Sequence, residues 1–252
     1  MQLVAVHGWQ KDEAAVAKTI ADALGGLVFE ARQKIAGGGP AVLASFADMS
    51  RAEALAERLR AEGIPALVID TDTVRKRTPF YVRRFVPGDT ALRVESLAAD
   101  ASVIDYADIE LLLVAICSPG QSQTVSTVTE RKFSLGKTLM SGGIPMTKKV
   151  THEETVSSEN RDETLWLYAK GRGPVIFNRS ALTYDGFGAS QQMTSGHNFT
   201  LLKSELQRLA PQARFDDRLL RRPTLVRLLG PTLAPEVDLD LAFEVLARSL
   251  HM

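Results

Sequence analysis

The sequence predicts a mixed α+β protein of two parts: an α/β unit over residues 1–72, and a strand-rich unit over 80–211 closed by a helix. Three observations carry this. Residues 2–70 hold the pattern β-α-β twice, on either side of a glycine turn. From Phe80 onward, short β-prone runs alternate with Gly and Pro turns. The chain has 252 residues, 45% of them hydrophobic, which is enough to bury a core without disulfides, and it has one cysteine, Cys117.

In the first unit, residues 2–7 form a strand. Asp12 opens a helix in which Val16, Ile20 and Leu24 share a face, and Gly25-Gly26 stops it. Leu27–Ala31 is apolar enough to predict a second strand, and Gly37-Gly38-Gly39-Pro40 turns the chain into a third, Ala41–Phe46. Ser50-Arg51-Ala52-Glu53 is a capping box, in which hydroxyl and carboxylate reciprocally satisfy free amides at a helix start. Leu55, Ala56 and Leu59 form the buried stripe, Gly63 ends the helix, and Pro65 leads into a last strand, Ala66–Asp70.

In the second unit, strands are expected at 80–86, 91–96, 102–106, 109–117, 124–133, 147–156, 165–169 and 174–177. Turns fall at Pro87-Gly88-Asp89, Pro119-Gly120, Gly142-Gly143 and Gly171-Arg172-Gly173. Such spacing predicts antiparallel pairing. Asn198 then caps a helix with Phe199, Leu202, Leu206 and Leu209 on one face, ended by Pro211. Residues 212–252 read as a helical C-terminal extension, with segments at Thr224–Leu229 and Glu236–Leu250. Leu239, Phe243, Leu246 and Leu250 form one apolar stripe, a face for docking or for self-association into a homo-oligomer.

Two resemblances follow from these patterns. The βαββαβ order of residues 1–72 resembles the ferredoxin-like fold, and the helix-Gly-Ile-Pro-Ala-strand passage at 53–69 is similar to small bacterial signalling or sensor domains of that shape. About seven strands followed by one amphipathic helix resembles the pleckstrin-homology-like architecture, including its bacterial versions. So does the strand-turn-strand phrase Val103-Ile104-Asp105-Tyr106-Ala107-Asp108-Ile109. The first shape hosts metal chaperones, RNA binders, sensors and acyl phosphatases. The second implies a binding class, for peptides, proteins or phosphorylated headgroups, rather than catalysis.

The formal charge is zero, with thirty Lys and Arg against thirty Asp and Glu, and aromatics are 6%, so nucleic-acid binding has no whole-chain support. That zero is a cancellation between segments. Residues 1–72 carry −3, 73–86 carry +5, 87–117 carry −5, and the remainder carries +3. The basic linker, 73–79, and the strand after it supply Arg75, Lys76, Arg77, Arg83 and Arg84. These guanidinium forks and one ammonium suit phosphate or carboxylate. The alternative is pairing with Asp89, Asp100, Asp105 or Asp108 nearby. A second basic cluster, Arg218, Arg221, Arg222 and Arg227, is interleaved with leucines and reads as part of a docked extension.

Catalytic signatures fail on spacing. Gly136-Lys137-Thr138 lacks the earlier glycine of a phosphate loop, where Arg131 stands instead. His152-Glu153 has Val156 where a second zinc ligand belongs, and Gly186-Phe187-Gly188 has Gln191 where a third glycine belongs. The expectation is therefore no catalytic residue, no metal and no cofactor. The function expected is that of a non-catalytic binding or regulatory protein with a protein partner. Two alternatives stand beside it. One is a sensor of an anionic small molecule at the basic patch. The other is an enzyme built near His7, with the 134–162 excursion as a lid. The apolar run Leu111–Cys117 is too short to span a bilayer. An N-terminus without a basic leader, and a single thiol, predict a cytoplasmic setting, and the resemblances imply a bacterial one.

Overall fold

The computed structural model describes residues 1–117, 125–133, 147–155 and 162–251. The chain is mixed α+β. Its body comprises residues 1–117 and 162–252, and residues 118–161 form a separate unit.

The chain opens with β1 (Gln2–Val6), followed by α1 (Glu13–Leu24). Asp12 caps α1 by accepting from the Ala14 and Ala15 amides, and Gly25 ends it at φ 68°, a backbone angle natural to glycine. The expected strand at Leu27–Ala31 is instead the start of a helix, α2 (Val28–Ile35). The physical reason lies at positions 31 and 35: Ala31 and Ile35, four apart, are its only buried residues, whereas Leu27 and Phe29 are 66% and 68% exposed. Next come β2 (Ala41–Phe46), α3 (Met49–Ala61), β3 (Ala66–Asp70) and a short α4 (Thr71–Lys76). The cap of α3 is Asp48, which accepts from the Ser50 amide at 2.8 Å, two residues before the expected serine. Residues 73–76 of the expected linker, 73–79, are helical.

The sheet of this part therefore has three strands, in the order β2-β1-β3, in place of the four that a ferredoxin-like unit requires. β1 is antiparallel to both neighbours. It is a β-α-α-β-α-β arrangement with α1, α2 and α3 packed on one face through Val16, Ile20, Ile35, Leu55 and Leu59.

The second sheet has seven strands. They are β4 (Phe80–Pro87), β5 (Ala91–Ser96), β6 (Ala101–Asp105), β7 (Ile109–Cys117), β10 (Asp162–Ala169), β11 (Val175–Asn178) and β12 (Arg214–Leu219). The spatial order is β12-β7-β10-β11-β4-β5-β6. Pairing is antiparallel except at β11–β4 and β12–β7, which are parallel, so the wholly antiparallel expectation needs correction. The strand β12 falls within the stretch expected to be purely helical.

Gly186 packs the segment Asp185–Ser190 onto this sheet: a Cβ there would lie 1.8 Å from the Phe85 carbonyl oxygen. Phe187 consequently meets Phe85 edge-on, with ring centroids 5.0 Å apart. Helix α5 (Ser195–Leu209) covers one face through Phe199, Leu202 and Leu206. Its cap is Thr194; Asn198, expected there, is buried inside the first turn and binds the Gln192 amide and the Gln192 and Thr194 carbonyls.

The run 111–117 is apolar throughout because β7 is covered on both sides. Leu112 and Val114 face the α5 side, while Leu111, Leu113 and Ala115 face a second core. That core also holds Leu3, Ala5, Val42 and Ile69 from the small sheet, and the helices α6 (Arg222–Leu229) and α7 (Leu239–His251). In α7, Leu241, Ala242, Phe243, Val245, Leu246 and Ala247 are all buried, so apolar contacts surround much of the helix. The apolar stripe expected to dock or to self-associate packs against this core, with Phe243 and Leu246 buried and Leu239 and Leu250 partly so.

In the separate unit, β8 (Val125–Phe133) and β9 (Thr147–Thr155) form an antiparallel hairpin, pairing Val125 with Thr155 through to Phe133 with Thr147. The Gly136-Lys137-Thr138 sequence, the turns at 119–120 and 142–143, and most of the 134–162 excursion lie outside the described residues.

Candidate functional site

The five basic residues expected to form an anion site are held as follows. Asp70 caps α4 by accepting from the Asp72 amide and the Thr73 hydroxyl, and this aims the last turn of the helix at α7. Arg75 then reaches Asp238 at 2.5 Å, and Arg77 reaches Glu244 at 2.7 Å. Arg248 approaches the other oxygen of Glu244, also at 2.7 Å. On β4, Arg84 pairs with Asp185 at 2.6 Å. Lys76 and Arg83 are exposed and have no ion pair among the described residues. Three of the five cations are therefore neutralised, by carboxylates far along the chain rather than by the acidic stretch 87–117.

His7, at the end of β1, is buried, and its amide donates to the Pro65 carbonyl at 3.1 Å. Its Nε2 has no hydrogen-bond partner among the described residues, and burial holds its pKa below the ordinary 6.5. The neutral imidazole is the folded form, whereas the unfolded chain protonates as pH drops past 6.5. This contribution to stability is complete above the ordinary value and is lost as pH falls toward the lower folded value. Melting curves from about pH 7 to about pH 5 should decline less steeply in His7→Gln than in wild type. Parallel curves would remove His7 as a source of the decline. The single thiol, Cys117, is pushed up to about 12, first by burial and then by the Asp162 charge, so it stays protonated.

A feature that sequence reasoning missed lies on the helical side of the small sheet. Small residues Ala23 on α1, Ala44 on β2 and Ala54 on α3 leave a groove of 510 Å³, floored by Leu24, Phe46 and Leu55. Arg51 and Arg58 stand at its rim. Arg58 donates to the Asp22 and Ala23 carbonyls at the end of α1, and no carboxylate pairs with either arginine among the described residues. A second groove of 230 Å³ shares Leu24 and Ala44 and extends past Leu27, Glu30 and Lys34. The exposed Leu27 is part of its lining. The available sequence signal was the mixing of alanines with larger apolar residues on α1 and α3, which by itself is equally the mark of a closely packed core.

The edges of the small sheet are closed. Lys34 donates to the Leu43 carbonyl of β2 at 2.6 Å. On β3, Arg60 donates to the Ala66 carbonyl at 2.9 Å and Arg248 to the Val68 carbonyl at 3.4 Å. An added strand would have to displace these cations. Among the described residues no group of three or more His, Cys, Asp or Glu could hold a metal ion, and no helix is long and apolar enough to cross a membrane. Compared with protein-family models, curated proteins and solved structures, the chain matches none of them.

Proposed function

We propose that this chain is a non-catalytic binding protein that holds an extended or helical segment of a protein partner in the groove between α1, α3 and β2. The observation that carries the reading is an apolar, open groove with two arginines at its rim and no carboxylate paired with them among the described residues. Such a surface suits a segment that presents apolar side chains flanked by Asp or Glu: the apolar groups gain burial, and the carboxylates fix register on the guanidinium forks. Six of the seven strands of the large sheet precede α5, which lies across one face, and this order supports the likeness to pleckstrin-homology-like domains, a shape associated with binding. A bacterial cytoplasmic setting belongs to the same reading and rests on the resemblances of shape and on a chain with one cysteine.

The test is selection of peptides on the full-length protein, followed by affinity measurement by fluorescence polarisation. Peptides combining apolar residues with Asp or Glu should be enriched. Ala54→Arg, at an exposed groove position, should abolish their binding, and Arg51→Glu should weaken it on the order of tenfold. Selected peptides that bind both variants as tightly as wild type would refute the assignment.

A further inference from the structure

We infer that the triple-glycine loop Gly37-Gly38-Gly39, with Lys34, Arg218 and Arg227 around it, is a binding site for a phosphoryl group. The site stands apart from the groove reading, and its test is independent. It joins two sequence features separated by about 180 residues, the glycine turn and the second basic cluster: Arg218 Nη1 donates to the Gly39 carbonyl at 3.4 Å. Arg227, on α6, lies directly over Gly37, where a Cβ would come within 2.4 Å of its Nη1. All three glycines have positive φ, at 93°, 85° and 71°. Only glycine at 37 therefore lets the guanidinium rest against the backbone.

The charge of the site is unbalanced. Its small cleft, of 20 Å³, is lined by Lys34, Arg218, Arg227 and Thr224 together with the loop, and no Asp or Glu lines it. Asp216 neutralises Arg218, with Nη2 to Oδ2 at 2.8 Å and Nε to Oδ1 at 3.0 Å. Lys34 uses one of its three protons on the Leu43 carbonyl. Arg227 is exposed and makes no hydrogen bond or ion pair among the described residues. Two uncompensated cations, a threonine and a backbone without side chains therefore line one cleft. The cleft has room for little more than one water-sized group, so a ligand would place a single oxygen in it and rest its body against the exposed Arg227, which suits a compact anion with several acceptor oxygens. A phosphoryl group fits, on a small metabolite or on a phosphorylated side chain.

Calorimetric titration of the full chain with inorganic phosphate, at ionic strength matched with chloride, tests the site. Wild type should show saturable binding. Arg227→Ala should weaken it by roughly tenfold or more, because a charge-assisted pair is lost. Arg83→Ala, in the other basic segment, should bind as wild type. Far-UV circular dichroism checks that each variant is folded; the substituted side chains are exposed. Glycerol phosphate and a phosphoserine peptide form two further arms, and the one that binds more tightly than inorganic phosphate identifies the source. Absence of saturable binding, or an Arg227→Ala variant equal to wild type, would overturn the inference. So would loss of binding in Arg83→Ala with retention in Arg227→Ala, since that would move the site to the other basic segment.

Discussion

Phe243→Ala should lower the stability of this protein by about 3–5 kcal/mol, the cost typical of deleting a fully buried aromatic ring. Phe243 has no exposed surface, and its ring stacks on Trp166 with centroids 4.1 Å apart and planes 12° from parallel. The contact lies where α7 is enclosed by Leu3, Ala5 and Ile69 on one side and Leu111, Leu113 and Ala115 on the other. Little can collapse into the space left behind, because α7 is bounded by elements of both sheets. Urea denaturation is the measurement, and Phe243→Leu should cost roughly half as much, since it keeps most of the volume. The chain has two tryptophans, Trp9 against the small-sheet core and Trp166 against α7. A shared core requires variants that retain only one of them to report the same midpoint. Separate midpoints would show that α7 does not bind the two sheets into one cooperative unit.

Much of this arrangement is visible in the sequence where local chemistry decides it. Asp12 and Gly25 delimit α1 as expected, and the runs at 41–46, 66–70, 80–87 and 91–96 are strands. The failures occur where tertiary contacts outweigh local preference. Leu27, Val28 and Phe29 have β-prone side chains, yet the helical spacing of Ala31 and Ile35 against the core decides their conformation. In β12, Arg214, Phe215, Asp216 and Asp217 show no alternation because the strand lies at a sheet edge, and only Leu219 is buried. For α7 the one-stripe reading counted large residues and passed over Ala242, Val245 and Ala247, whose burial shows that the helix is covered on several sides. The candidate site was less legible still. The groove depends on which alanines meet across three elements, and the basic patch depends on partners that lie more than 100 residues away.

Those distant partners give the second large effect, which is non-additive. The Glu244 side chain is 8% exposed and is held by Arg77 and Arg248, one on each oxygen, whereas the two arginines are 40% and 36% exposed. Removing one arginine leaves the carboxylate with the other, and the half-exposed guanidinium was already partly screened by water, so Arg77→Ala or Arg248→Ala alone should cost about 1 kcal/mol or less. Removing both leaves a buried charge with no cation bonded to it, and the double variant should lose about 3–5 kcal/mol. The coupling of roughly 1–3 kcal/mol is read from a double-mutant cycle in urea. Adding Glu244→Gln to the double variant should recover part of the loss, because the uncompensated charge is then gone. A double variant whose loss merely equals the sum of the singles would mean that these ion pairs are solvated surface contacts. The +5 segment, 73–86, would then be free of the C-terminal helix, and Arg75 and Arg77 would be available to an anion from solution. The predicted coupling, by contrast, makes them part of the clamp that holds α4 against α7.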